Sequence, residues 1–173
     1  MNLSEAIHNR RSIRKYKNQI LPEGTVETLI DAASHAPSAG NVQSWEFVVV
    51  KHQKNKKELS AAAYGQKDLA EASVVIVVCA DQKRASEIYG ARGKSMYCFQ
   101  DTAAAVQNIL LTACSLGLGS CWVCAFKEDE VKKIINAPAE MKPVAMIPVG
   151  YADEEPAARN RRSLTEIMHK ETF

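Results

Sequence analysis

The 173-residue chain lacks an apolar run long enough to cross a membrane, which takes about 20 residues. Its longest continuous apolar stretch, residues 74–80, has only the length of a β-strand. The N-terminus, Met1-Asn2-Leu3-Ser4-Glu5, lacks the basic-then-apolar order of a secretory signal peptide. We therefore expect a cytoplasmic protein.

The sequence has few aromatic residues and little net charge. Aromatic residues make up 6% and the formal net charge is +2. Both values argue against nucleic acid as a partner, because such proteins use basic surfaces and stacking rings. Hydrophobic residues at 46% and charged residues at 24% are ordinary for a globular protein. The length favours one domain that spans residues 1–173.

Several catalytic motifs are also absent. There is no Gly-x-Gly-x-x-Gly, no Walker loop and no His-Glu-x-x-His, and the four histidines are scattered. The five cysteines are an odd number and lie mostly in apolar stretches, which argues against a disulfide scaffold. Cys121 and Cys124 form a C-x-x-C that leaves a redox pair, a zinc site and simple packing open. Packing is favoured because the pair follows a helix rather than opening one.

Apolar periodicity and capping residues predict an α+β fold with a central, mainly antiparallel sheet. The predicted strands are Trp45–Val50, Ala72–Ala80 and Lys142–Gly150. The predicted helices run from Ser4 as N-cap to about Asn9, from Pro22 to Ala36, and over Lys54–Ala63, Gln100–Leu116 and Glu128–Asn136. A capping box, Ser163 to Glu166, predicts a last short helix. The Gln100–Leu116 helix is apolar on nearly all sides, so we expect it in the core or at a subunit interface.

Four segments carry residues suited to ligand binding. The first is Arg10-Arg11-Ser12-Ile13-Arg14, whose guanidiniums and hydroxyl match a phosphate. The second, residues 36–45, combines small residues with Gly40, which lets backbone approach a flat ligand. The third, residues 117–126, begins with glycines that end the preceding helix and continues as an extended apolar run. The fourth is the basic tail around Arg159 and Arg161. Taken singly, each segment also has a purely structural explanation, as a solvated basic turn, a loop or ordinary packing.

In this order, the four segments together with Asp101-Thr102-Ala103-Ala104-Ala105 and Pro148-Val149-Gly150-Tyr151 resemble the nitroreductase family. The resemblance runs from about Ile7 to Leu164. It implies an α+β nitroreductase-like fold, an intertwined homodimer and FMN bound at the dimer interface. The apolar helix would then pack across a two-fold axis through Ala103, Ala104 and Ala105.

The resemblance also implies roles for individual residues. Arg10, Arg11 and Ser12 would hold the FMN phosphate with Arg159 and Arg161, and Arg14 would lie near N1 and O2 of the ring. Gln66 would contact the pyrimidine edge. The remaining contacts would come from two groups of residues: Pro37, Ser38, Ala39 and Asn41 of the other subunit, and Trp122, Val123, Cys124 and Ala125 along the ring. No residue is implied as catalytic acid or base, and no metal is implied, because the flavin carries the chemistry.

The implied activity is an FMN-dependent oxidoreductase. NAD(P)H would reduce the FMN and leave, and a small acceptor such as a nitroaromatic or a quinone would then take the electrons. One alternative keeps the fold but changes the reaction to dehalogenation, flavin breakdown or azoline oxidation. A second is a non-enzymatic FMN-binding electron relay, and a third is a basic nucleic-acid-binding domain. Residues 81–99 are expected to be too short for an elaborate lid over the flavin.

Overall fold

A computed structural model describes residues 1–173, and its central feature is a four-stranded antiparallel sheet. The strands are β1 (Trp45–Val50), β2 (Val74–Asp81), β3 (Gly119–Ser120) and β4 (Met141–Gly150), in the spatial order β1-β2-β4-β3. The register pairs Trp45 with Ala80 and Val74 with Val149. The predicted α+β class with an antiparallel sheet is confirmed.

Eight α-helices surround the sheet. They are α1 (Leu3–Asn9), α2 (Thr25–Ser34), α3 (Gln53–Ala62), α4 (Asp68–Glu71), α5 (Gln82–Arg92), α6 (Cys98–Ser115), α7 (Glu128–Ile134) and α8 (Leu164–Ile167). A short 3-10 turn at Ala39–Asn41 and a π-helical turn at Gly93–Tyr97 complete the secondary structure. No helix combines the length and apolar character that a membrane crossing requires.

Strand β2 lies between two apolar layers, which explains why its sequence is apolar on both faces. Val74, Ile76 and Val78 pack into a cluster with α2 and α6. Val75, Val77 and Cys79 point to the opposite face and pack with α3 and α7. Successive side chains of a strand alternate between faces, so both faces must be apolar when helices cover each of them.

Two predicted helix starts were wrong because a neighbouring residue supplies a better start. The N-cap of α1 is Asn2, whose side chain accepts a hydrogen bond from Glu5 N–H in a capping box, and not Ser4. Helix α2 starts at Thr25 and not at Pro22, since Gly24 adopts a left-handed conformation with φ of 79°. Helix α5 was not predicted, although Asp81 caps it by accepting from the Arg84 N–H at 2.9 Å.

The chain beyond β4 leaves the body of the protein. Ala152 still pairs with Tyr16, and the Asp153 N–H donates to the Lys15 carbonyl at 2.9 Å. From residue 157 to residue 173 every residue is exposed. The predicted capping box is confirmed, with the Ser163 N–H donating to the Glu166 carboxylate at 2.8 Å. The tail is therefore locally ordered but hardly packed on its own chain.

Candidate functional site

The arginine-rich segment lies along the short edge strand β3. The Ile13 N–H donates to the Ser120 carbonyl at 2.9 Å, and Ser12 bridges Ser120 in parallel. A Cβ at Gly119 would lie 2.9 Å from the Ile13 side chain, so a glycine is needed for this close approach. The first and third predicted segments are thus neighbours in the fold.

The guanidiniums of this segment differ in how far the protein already uses them. Arg11 Nη1 donates to the carbonyls of His8 at 2.6 Å and Arg10 at 3.1 Å, which satisfies carbonyls at the end of α1. The Arg10 side chain is half-buried and has no hydrogen-bond or ion-pair partner in the chain. Arg14 is exposed, and its backbone N–H is held by the Glu154 carboxylate. The guanidiniums of Arg10 and Arg14 are therefore both free to bind an anion, and Arg10 is the less exposed of the two.

The segment after β3 offers free backbone donors. Cys121 N–H donates to Pro148 O at 3.4 Å and Val123 N–H to Met146 O at 3.0 Å, so alternate N–H groups pair with β4. Cys124 and Ala125 follow, both exposed, and their N–H groups have no partner in the chain. An extended edge strand presents such donors to whatever lies beside it.

Gln66 joins this edge from another part of the chain. Its side-chain amide donates to the carbonyl of Ala125 at 3.0 Å and to that of Ala63 at 3.0 Å. The structure therefore brings Gln66, the arginine segment and residues 122–125 together along one border of β3. That border contains the free guanidiniums of the arginine segment, the free N–H groups of Cys124 and Ala125, and the amide oxygen of Gln66.

The loop of residues 37–44 lies elsewhere and is tightly folded. Gly40, Asn41 and Gln43 have positive φ values of 54°, 57° and 54°. The Gln43 N–H donates to Ser38 Oγ at 3.0 Å, and a side chain at Gly40 would collide with the Tyr89 hydroxyl. Asn41 tolerates this conformation because its short polar side chain favours the left-handed region.

The two halves of the expected site are far apart within one chain. The loop contacts Asp101 in the first turn of α6, whereas β3 follows the last turn of that helix at Ser115. A helix rises about 1.5 Å per residue, so these ends are separated by about 21 Å. The tail residues Arg159 and Arg161 are exposed and form no hydrogen bond or ion pair with either half.

The chain matches the model of the nitroreductase family over residues 7–68 and 53–151. It is 36% identical over 165 residues to a protein of Methanothermobacter thermautotrophicus, with 92% of this chain and 82% of that protein covered. That relative carries the name NADH dehydrogenase/NAD(P)H nitroreductase as a provisional assignment. The chain belongs to the nitroreductase family.

Further similarities agree with this assignment. The FMN reductase (NADPH) of Bacillus subtilis is 27% identical over 185 residues, which cover 99% of this chain and 74% of that protein. The structure of the NfrA1 nitroreductase of Bacillus subtilis superposes with a TM-score of 0.89 at 27% identity, covering 99% of this chain and 74% of that one. The predicted family and fold are both confirmed.

Two buried carboxyl groups of the chain were not singled out by the sequence analysis. Asp101 is 5% exposed and accepts hydrogen bonds from the Ala39 N–H at 3.0 Å and the Ser44 hydroxyl at 2.7 Å. Asp68 is 4% exposed, and its Oδ2 has no partner. Burial raises the pKa of Asp68, and the nearby Arg14 offsets this only in part. Two sequence signals exist for Asp101: it is the one charged residue of an otherwise apolar helix, and it opens the Asp101–Ala105 stretch of the family resemblance.

The cysteines of this nitroreductase do not form a pair. All five are free; Cys121 is buried and Cys124 is exposed. Burial raises the pKa of the Cys121 thiol, and the neighbouring Arg14 lowers it by less. The structure contains no group of three His, Cys, Asp or Glu residues placed to hold a metal ion.

Proposed function

We propose that this chain is an FMN-dependent oxidoreductase that takes hydride from NAD(P)H and passes the electrons to a small acceptor such as a nitroaromatic or a quinone. Residues 1–173 form a single FMN-binding domain in this proposal. The names of the relatives, which include an FMN reductase and an NAD(P)H nitroreductase, support FMN and NAD(P)H as the cofactors. The nature of the acceptor and the order of the two half-reactions are our proposals.

The observation that carries the proposal is the row of free groups along β3. Arg10 stands at one end with an unpaired guanidinium, and the free N–H groups of Cys124 and Ala125 stand at the other. A guanidinium suits the phosphate of FMN. The free N–H groups suit N5 or O4 of the ring, and the Gln66 side chain suits the pyrimidine edge. These groups therefore fit an FMN whose phosphate binds Arg10 and whose ring lies beside Cys124 and Ala125.

Residues of the chain bind and orient the cofactor rather than act on the substrate. FMN supplies the redox chemistry when it is bound. Arg14 is exposed beside this border, where its positive charge favours a negative charge on the pyrimidine part of the ring. No acid or base is assigned, because the flavin carries the redox chemistry.

The site becomes complete only when two chains combine. The loop that contains Pro37, Ser38, Ala39 and Asn41 is held at the first turn of α6, whereas β3 follows the last turn, about 21 Å further along the helix. We therefore place the loop of one chain and β3 of another beside the same ring. Ala103 on α6 is only half-buried in the single chain and lies beside the exposed Gln107, whereas Ala104 and Ala105 pack in the chain's own core. A two-fold contact through this face would bring the loop of one subunit to β3 of the other. We therefore propose a homodimer with FMN at its interface.

The tail supports the same arrangement. Residues 157–173 are all exposed, and they include the large apolar side chains of Leu164, Ile167, Met168 and Phe173. A tail of this composition gains stability by packing on a partner subunit. In the dimer, Arg159 and Arg161 would join Arg10, Arg11 and Ser12 at the FMN phosphate.

The experiment that tests the proposal is a visible spectrum of the purified protein before and after addition of NADH or NADPH without oxygen. Flavin bands that bleach with either nucleotide are the expected result, and the faster nucleotide is the preferred donor. Reoxidation on adding a nitroaromatic or a quinone would then identify the class of acceptor. Flavin bands that stay unchanged would indicate an electron relay or a specialised reaction. A protein that takes up no FMN would refute the proposal.

A further inference from the structure

The loop of residues 37–44 is held by one side chain from α6. The Asp101 carboxylate accepts the Ala39 N–H through Oδ1 at 3.0 Å and the Ser44 hydroxyl through Oδ2 at 2.7 Å. Ala39 and Ser44 stand at the two ends of the tight turn that contains Gly40, Asn41 and Gln43. A single carboxylate thus joins the beginning and the end of this turn to the helix.

The burial of Asp101 requires these bonds. The residue is 5% exposed, and no lysine, arginine or histidine forms an ion pair with it. A buried carboxylate is costly unless hydrogen bonds satisfy it, and such bonds to a charged acceptor are stronger than neutral ones. Asp101 also lies in the first turn of α6, where the helix dipole favours a negative charge. The carboxylate is therefore stable only while the loop stays in this conformation.

The loop needs a tether of this kind. Asn41 and Gln43 keep positive φ values that residues other than glycine adopt at a cost. Arg84 from α5 also donates through Nε to the Val42 carbonyl, but it is exposed, whereas Asp101 and Ser44 are both buried. Because the Asp101 contacts are shielded from water, they hold the loop more strongly than the contact of the exposed Arg84 does.

We propose that Asp101 is a positioning residue that fixes the 37–44 loop in the one conformation that fits the flavin of the partner subunit. This inference rests on the proposed function, because it takes the loop to line the flavin. Since α6 also carries the proposed dimer face, Asp101 links the subunit contact to the geometry of the site. Asp101 keeps the loop ordered before FMN binds, so no binding free energy is spent on ordering the loop.

Four single substitutions test the role of Asp101. Asp101→Ala removes both bonds, and Asp101→Asn keeps an oxygen that can accept the Ala39 N–H. Ser44→Ala removes only the hydroxyl bond. Thr102→Val is the control, because Thr102 is equally buried on α6 but donates to the Cys98 carbonyl at 2.8 Å and does not touch the loop. FMN affinity, the spectrum of the bound flavin, its reduction potential and the thermal midpoint are measured on the full-length protein.

We expect Asp101→Ala to weaken FMN binding by about ten-fold or more and to change the spectrum and the potential of the flavin that remains bound. Asp101→Asn should restore most of the affinity, and Ser44→Ala should give a smaller loss with the same spectral change. Thr102→Val should lower only the thermal midpoint. If Asp101→Ala does not fold, Ser44→Ala decides the question.

Two results would count against the inference, and they are distinguishable. Wild-type protein that binds FMN, together with Asp101→Ala or Ser44→Ala protein of unchanged affinity and spectrum, would overturn the role of Asp101 alone. Wild-type protein that binds no FMN would overturn the proposed function, and the inference with it.

Discussion

The side-chain amide of Gln66 donates a hydrogen bond to the carbonyl oxygen of Ala125 at 3.0 Å, across 59 positions of the sequence. Its second bond goes to the Ala63 carbonyl, also at 3.0 Å. Both donations use Nε2, so Oε1 remains as an acceptor without a partner in the chain. Gln66 therefore supports the edge segment from behind and can still accept a hydrogen bond from a ligand.

The first prediction concerns this contact. Gln66→Ala should weaken FMN binding by about 1 kcal/mol or slightly more, because the Ala125 segment loses its support and the ligand loses an acceptor. Gln53→Ala is the matched control, since Gln53 makes a similar amide-to-carbonyl bond to Ala70 at 3.0 Å away from β3. FMN affinity is measured by titration of flavin fluorescence. Equal affinities for the two variants would contradict the role of Gln66.

The sequence predicted three of the four strands and the long helix well, because burial dominates there, but it did not predict the short edge strand β3. Residues 74–80 are apolar at every position, and the structure buries all of them between two helical layers. Helix α5 was missed because its sequence has no apolar stripe, and only Ala85 of that helix is buried. Capping by Asp81 and contacts with the 37–44 loop hold it instead, and these depend on the tertiary structure.

Only part of the candidate site could be predicted from the sequence. The four segments could be read from residue types, and the structure places Ser12 and Ile13 beside Ser120 and Gln66 beside Ala125. The importance of Asp101 could not be read, since only the fold shows that Ala39 and Ser44 meet its two oxygens. The separation of the loop from β3 along α6 was likewise visible only in three dimensions.

The second prediction distinguishes the binding of the FMN phosphate from the binding of the flavin ring. Arg10→Ala should weaken FMN binding by about 2–5 kcal/mol, because a charge-assisted contact to the phosphate is lost. Riboflavin, which has the same ring but no phosphate, should bind equally to wild-type and Arg10→Ala protein. Arg11→Ala should weaken FMN binding less than Arg10→Ala, and it should also lower the stability of the FMN-free protein by about 1 kcal/mol, because Arg11 satisfies the His8 carbonyl at the end of α1. Calorimetric titration with both ligands measures the affinities, and an equal loss for riboflavin would refute the assignment of Arg10 to the phosphate.

The third prediction concerns alkaline pH. Burial raises the pKa of the Cys79 thiol from 9.0 to about 11. Between these values the unfolded chain loses the thiol proton and the folded chain keeps it, so the free energy of unfolding falls as the pH rises through this range. The contribution of Cys79 is fully present below pH 9 and is lost by about pH 11, a change of about 3 kcal/mol.

Cys79→Ala should flatten this alkaline decline, although the raised pKa values of Tyr16 and Cys121 will keep part of it. Val77→Ala is the control, because Val77 lies on the same face of β2 but does not titrate. It should lower the free energy of unfolding by the same amount at every pH. Urea unfolding at a series of pH values provides the measurement. A decline as steep in Cys79→Ala as in the wild type would show that Cys79 is not the titrating group.

The fourth prediction tests the subunit contact. Ala103 lies half-buried on α6 of the single chain, between the exposed Gln100 and Gln107, whereas Ala104 packs against the chain's own core. Ala103→Arg places a long charged side chain where two helices must approach closely, so it should dissociate the dimer. Because the loop around Ala39 and the border of β3 would then belong to separate molecules, FMN should be released at the same time.

Ala61→Arg, at an exposed position on α3, is the matched control and should leave both the dimer and the flavin in place. Sedimentation velocity recorded at the protein and flavin wavelengths reports both properties in one experiment. An Ala103→Arg protein that sediments as a flavin-loaded dimer would show that this face of α6 is not the subunit interface, and the site would then have to be completed by other residues of the same chain.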